Sequence, residues 1–267
     1  MATSTSWTLF DPAAVPEVPI PGHDGLFGQA LVDNTDEGGS SLLGVRYAPG
    51  AGDDQRRHAV GQVVLVLEGD LTIGGRTCGP AAGCFAPANR TYSIRAGAAG
   101  ARAVEFRPAP IVYLRGDEDH ASMRVKPPTP PSPTRAWDTM QSAGPMTSVN
   151  ELSYFDVHEM PEKQVAPDMW IQALVNHAED DGQSMLMVHH AAGYFQTEHS
   201  HDVDQIVVVL EGTLAQGNRR FPPATGFFTP QNRKYTFSAT EDRDMLRVEW
   251  RPSPLRFSTD YTDGSSV

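Results

Sequence analysis

Histidine is the residue type to start from, because its imidazole titrates near neutrality and is the commonest side-chain ligand of transition metals. The chain has nine, and six of them, His158, His177, His189, His190, His199 and His201, fall within 44 residues. His199 and His201 are one residue apart. On a β-strand alternate side chains share a face, so both imidazoles project together and can grip one ion or line one pocket. In that register Val203, Gln205, Val207 and Val209 follow on the same face, an apolar interior with one amide beside the histidines. Glu198 then points the other way and reads as a surface carboxylate. His189 and His190 cannot both face inward, and His189 is assigned to the pocket, with Arg233 and Phe228 as further substrate contacts.

The elements that must position these residues occur twice. QVVLVLEGDL from Gln62 recurs as QIVVVLEGTL from Gln205, and 205 minus 62 is 143. GCFAPANRTYSI from Gly83 and ALVDNTDEGGSSLLGVRYAPG from Ala30 recur at the same offset, from Gly226 and Ala173. VEFRPAP from Val104 answers VEWRPSP from Val248, now 144 apart, so one loop residue has been inserted. A register this constant over about eighty residues marks a duplication. Within each copy the β-prone runs SMLMVHHA, DQIVVVLEG, GFFTP, KYTFSA and MLRVEWR end in Gly, Pro, Asn or Asp, the punctuation of short strands closing into a barrel or sandwich. Helical periodicity is weak everywhere; only 146–165 reads as a short helix or loop. Between the copies, VKPPTPPSPTRAW carries five prolines and reads as a stiff linker. The expected organisation is a first barrel over 1–115, a linker over 116–145, a second barrel over 146–255 and a tail over 256–267.

Gly193, His199, His201, Gln205 and Gly212 have the spacing of the first motif of the cupin superfamily, which the chain resembles over both copies. Pro230, Asn232 and Tyr235 are similar to its second motif. Two departures stand out: Gln205 occupies a position usually held by Glu, and Tyr235 one usually held by His. The resemblance implies an all-β bicupin, two cupin-type jelly-roll β-barrels related by internal duplication. It also implies metal ligands at His199, His201, Gln205 and Tyr235, for Fe, Mn, Ni, Cu or Zn. Gln offers an uncharged carbonyl, and Tyr binds well only as phenolate, so the ion would have to lower a pKa normally near 10. An alternative needs no metal: the two histidines hydrogen-bond Gln205 and Tyr235 around an organic ligand.

The first copy differs in an informative way. Arg56 stands where His199 stands, while His58, Gln62 and Tyr92 are kept. A guanidinium has no lone pair and repels a cation, so the first barrel is expected to hold no metal. Three functions follow as expectations. The first is a metal-dependent oxygenase acting on an aromatic or keto-enol substrate, with His199, His201 and Tyr235 catalytic. The second is a non-oxidative isomerase, cyclase or lyase with Tyr235 as acid and a histidine as base. The third is a ligand-binding module without turnover.

Composition narrows the partners. Thirty-three acidic residues against 21 Lys and Arg give a net charge of −12, which repels phosphate backbones, so no nucleic acid is expected. No stretch of eighteen apolar residues marks a membrane span. Cys78 and Cys84 are too few for a disulfide framework and suggest a reducing, cytoplasmic setting. Cys84 aligns with Phe227, which suits a small apolar role. A small-molecule substrate and a homo-oligomer complete the expectations.

Overall fold

The computed structural model describes residues 7–33, 39–109, 152–176 and 182–253, with backbone alone at 114–115 and 147–149. Most of the linker region, His177 and the expected tail lie outside the described residues. Among those described there is no helix, and the strand pairings within each unit are antiparallel. The fold is all-β and of the jelly-roll kind, as the short runs punctuated by turn residues imply. The chain divides into two compact units.

In the first unit the central strands are Ser41–Tyr47, Gln62–Ile73, Ala82–Ala86 and Tyr92–Arg107. Tyr92–Arg107 is long enough to pair with Ser41–Tyr47, Gln62–Ile73 and Gly52–Arg57 in turn. The second unit builds the same plan from two sheets. One runs in the order Gly226–Thr229, Gln205–Glu211, Met245–Arg251, Ser184–His190, Met169–Asn176 and Lys163–Ala166. The other contains Phe195–His199, Tyr235–Ala239, Leu214–Gln216 and Arg219–Phe221. The one-residue insertion explains the difference. Where the first unit has one strand through Ala96–Ala101, the second has a turn at 240–244 that splits Tyr235–Ala239 from Met245–Arg251.

The repeated Gly of the LEG tripeptide is required at the bend beside that strand. Gly69 and Gly212 have φ of 67° and 71°, and a Cβ there would lie 2.2 Å from the Gly100 carbonyl oxygen and 2.3 Å from that of Asp244. Any side chain would force the two strands apart.

One boundary differs from the sequence reading. The segment expected to open the second barrel as a short helix or loop forms strands, and Leu152–Asp156 pairs with Ala82–Ala86 of the first unit. Leu152 and Tyr154 enter that unit's core, and the Tyr154 hydroxyl donates to the Ile73 carbonyl at 2.7 Å. An open sheet edge is a ready template for another strand, and LSYF supplies the side chains that fill its face. Trp7 goes the other way. Although it falls in the stretch expected to be the first barrel, it belongs to the second unit and stacks on Phe227 with ring centroids 4.6 Å apart.

Both cysteines are buried free thiols. Burial pushes the Cys78 thiol up to about 11 and that of Cys84 well above its usual range, so both stay protonated and apolar in behaviour.

Candidate functional site

The strand Phe195–His199 ends at His199, and a loop carries the chain through Ser200–Asp204 before the next strand begins at Gln205. The two imidazoles therefore meet through a loop and not through alternation along one strand, which corrects the register argument while leaving the pair intact. Their ring centroids are 5.2 Å apart at 82°. Tyr235 completes the group, with its ring 4.3 Å from that of His199. The loop is tied from below: Asn232, at φ 60°, gives its backbone N–H to the His201 carbonyl, and Asp204 accepts from Gln231 N–H at 2.9 Å. Asn89 repeats both the φ and the bond, to His58. The repeated Asn is thus a turn residue that seats the histidine backbone.

Behind the imidazoles runs a directional hydrogen-bond chain. Gln205 Nε2 donates to Glu249 at 2.6 Å, the Tyr235 hydroxyl donates to Gln205 Oε1 at 2.7 Å, and His201 Nε2 lies 3.2 Å from the Tyr235 oxygen. A carboxylate only accepts, so the amide orientation is dictated, Tyr235 must spend its proton on Gln205, and His201 Nε2 carries the proton that reaches Tyr235. His199 Nδ1–H donates to the Thr197 carbonyl at 2.9 Å, which leaves Nε2 as its lone-pair nitrogen. Burial, reinforced by Arg251, lowers the His201 pKa to about 3, and burial also lowers that of His199. Both rings are neutral at pH 7. Burial raises the Glu249 pKa, but Arg247 and Arg251 outweigh it and hold the carboxyl at about 2.

Arg247 and Arg251 were not singled out from the sequence. In MLRVEWR the apolar residues Leu246, Val248 and Trp250 alternate with Arg247, Glu249 and Arg251, a pattern that ordinarily marks a half-solvated strand. Here both faces are buried and the charged face points into the barrel. Arg247 pairs with Glu249 and donates to His190 Nε2 at 3.3 Å, and Arg251 pairs with Glu249 at 3.0 Å. The first unit holds the equivalent carboxylate, Glu105, with Arg56 at 2.8 Å and with Arg107. Arg56 also donates to His58 Nε2 at 3.1 Å. Each barrel therefore buries two guanidinia around one carboxylate, with the second arginine moved from position 56 to the strand of position 247, where the first unit has Ala103. The signal available in the sequence was the repeated Glu and Arg of VEFR and VEWR.

Several expected contacts fall elsewhere. His190 faces inward, with its ring 4.4 Å from Tyr194 and 5.4 Å from Phe237. His189 instead packs on Trp170, with its ring nitrogens 3.3 Å from a Glu162 carboxylate oxygen and 3.2 Å from one of Asp244. Strand alternation permits only one of the two inside, and the apolar cluster of Met169, Ile171, Leu186 and Val188 selects the face of His190. Phe228 lies opposite Ile206, on the face away from Gln205 and Phe227, so it does not line the barrel interior. Arg233 is exposed in the turn before Tyr235. Glu198 pairs with Lys234 at 3.0 Å at the surface, and His158 sits exposed in a turn closed by Asp156.

The donor set fits a borderline divalent ion with one departure. His199 offers Nε2 directly, while His201 Nε2 and the Tyr235 oxygen, 3.2 Å apart, would become donors to Fe, Mn, Ni, Cu or Zn on giving up the His201 Nε2 proton and the Tyr235 hydroxyl proton. Gln205 does not fit as a ligand in this arrangement, because its carbonyl is held by Tyr235 and its amide nitrogen by Glu249. Among the described residues no group of three or more His, Cys, Asp or Glu is poised around one point.

No family model and no curated protein sequence matches the chain. Solved structures do. A candidate dioxygenase from Nostoc punctiforme superposes with a TM-score of 0.70 at 14% identity, over 96% of this chain and 86% of that one. A mutant of Bacillus subtilis oxalate decarboxylase superposes with a TM-score of 0.66 at 11% identity, over 100% of this chain and 83% of that one. A second oxalate decarboxylase structure gives 0.64 at 12% identity, over 96% and 80%. At such identities the likeness is one of fold.

Proposed function

We propose, from the premise that this chain has the two-barrel cupin fold, that it is a small-molecule enzyme whose working site is the second barrel. His199, His201 and Tyr235 would hold a divalent ion, and an oxygenase reaction on an aromatic or keto-enol substrate is the leading reading. The observation that carries it is the convergence of two neutral imidazoles and a phenol at one end of the barrel, backed by a buried carboxylate. When bound, the ion would supply Lewis acidity and, if redox-active, electron transfer to dioxygen. Gln205 is then a positioning residue: it holds Tyr235 in place and transmits the field of Glu249. The first barrel, with Arg56 donating to the Nε2 lone pair of His58, is a scaffold in this reading.

A specific observation favours the non-oxidative alternative of isomerase, cyclase or lyase. Tyr235 is hydrogen-bonded on both sides, so if it gave its proton to a substrate, His201 Nε2–H would stabilise the phenolate left behind.

Metal content separates these readings. The protein purified without chelator, or incubated with Fe, Mn, Ni and Zn, is expected to retain about one ion per chain, and the His199→Ala/His201→Ala variant none. Wild-type protein that retains no ion would end the oxygenase reading and leave the acid–base one. Tyr235→Phe keeps the ring packed but removes the proton, and an acid role predicts a loss of about 100-fold or more in turnover. A variant as active as wild type would exclude that role.

A further inference from the structure

The same four residues, Gln, Tyr, Glu and Arg, are present in both barrels, but they are wired differently. In the first, Arg107 Nε donates to Gln62 Oε1 at 2.8 Å, and Gln62 Nε2 donates to the Tyr92 hydroxyl. An arginine only donates and a carboxylate only accepts, so the Gln62 amide and the Gln205 amide must point in opposite senses. The consequence falls on Arg251. Its Nε has lost the acceptor that Arg107 keeps, and among the described residues it is a buried donor with no hydrogen-bond partner on a residue 6% exposed.

A second donor stands near it. Thr229 is directly opposite Gln205 on the neighbouring strand, whereas the first unit has Ala86 opposite Gln62. Thr229 is fully buried, and its Oγ1 also has no hydrogen-bond partner among the described residues. Arg251 lies on the other side of Gln205, one rung beyond the pair Ile206 and Trp250. The second barrel has therefore gained a hydroxyl and released a guanidinium N–H on the two sides of one amide. Buried polar groups are nearly always satisfied, and two unsatisfied donors on one rung call for an acceptor.

The charge has the matching sign. Among these three side chains, Arg247 and Arg251 against Glu249 leave one positive charge uncompensated. A single negative charge balances that. Without a metal ion bound, a dianion such as phosphate would overshoot that charge and be repelled by Glu249.

Resting on the reading of the second barrel as the working site, we propose that Arg251 Nε and Thr229 Oγ1 bind the carboxylate of a monoanionic small-molecule substrate. The substrate class narrows accordingly to monocarboxylates, and the aromatic wall formed by Tyr235, Phe237, Phe227 and Trp7 suits one with a planar, unsaturated body.

Titration of the full chain with benzoate and with its neutral isostere benzamide, by calorimetry, tests this. It is run on protein as purified and again in EDTA, so that anion binding is scored independently of any ion. Benzoate is expected to bind at least about tenfold more tightly than benzamide in both conditions, with inorganic phosphate weaker than benzoate in EDTA. Thr229→Val, which keeps shape and removes only the hydroxyl, is expected to weaken benzoate about tenfold and leave benzamide unchanged; Arg251→Gln is expected to weaken benzoate about thirtyfold or more. Equal affinity for benzoate and benzamide, or benzoate affinity unchanged in Thr229→Val, overturns the proposal, and so does the absence of benzoate binding up to millimolar concentrations. If anion binding fails while a stoichiometric ion is present, the metal reading survives alone. If no ion is retained while benzoate binding depends on Thr229, the anion site survives alone.

Discussion

Glu249→Gln is expected to destabilise the second barrel by about 3–5 kcal/mol, because it leaves two buried guanidinia with no carboxylate between them. Arg247 and Glu249 are almost fully buried, and Arg251 is 6% exposed, so water cannot replace the lost partner. The cost is the desolvation of cations left uncompensated, which far exceeds what a surface ion pair contributes. The amide that replaces the carboxylate keeps one acceptor oxygen, so its N–H groups must face either Gln205 Nε2 or an arginine, donor against donor. Denaturant unfolding at pH 7.5, followed by tryptophan fluorescence, measures the effect; Trp250 is buried next to Glu249 in the same strand and Trp7 stacks on Phe227, so both report on this unit. A loss under about 1 kcal/mol would mean that solvent reaches the arginines.

Stability is also expected to fall as pH drops below 6.5, well before any ordinary carboxylate titrates. Burial, with Arg247 beside it, lowers the His190 pKa to about 2, and His201 is lowered to about 3. In the unfolded chain both rings take up a proton near 6.5, whereas in the folded barrel they remain neutral. A group with a depressed folded pKa contributes stability that is fully present above its unfolded pKa and is lost as pH falls toward the folded value. Each such histidine costs about 1.4 kcal/mol per pH unit across that window, so the two together cost roughly 5 kcal/mol between pH 6.5 and 4.5. His199 shifts in the same direction, and Glu249 adds its own loss only below about 4.5. Denaturant midpoints measured in EDTA at half-unit steps of pH give the slope. His190→Tyr, which installs the residue found at the equivalent Tyr47, is expected to flatten that slope by about one proton. An unchanged slope would show that His190 is already hydrated or charged in the folded protein.

How much of this was legible from the residues alone varies with the distance over which each feature is decided. The strands Gln205–Glu211, Tyr235–Ala239 and Met245–Arg251 could be read directly, because β-branched and aromatic runs cut by Gly, Pro and Asn carry their own conformational bias. His199, His201, Gln205 and Tyr235 could be gathered by spacing and resemblance, and the structure does bring them together, though Gln205 turns its amide to Tyr235 and Glu249. Leu152–Asp156 carries no such local signal, since whether a short mixed segment becomes a strand depends on the sheet edge it meets.

From the sequence alone, then, come the duplication at an offset of 143, the all-β class, the inequality of the copies at Arg56 and His199, and the candidate histidines. Only the tertiary structure decided that His190 and not His189 faces inward, that Arg247 restores in the second barrel the guanidinium that position 199 had lost, and that Gln205 is turned opposite to Gln62. The reason is physical. Strand periodicity assigns a residue to a face but cannot say which face is buried when both are, and the orientation of an amide is set by whichever donors and acceptors distant strands bring to it.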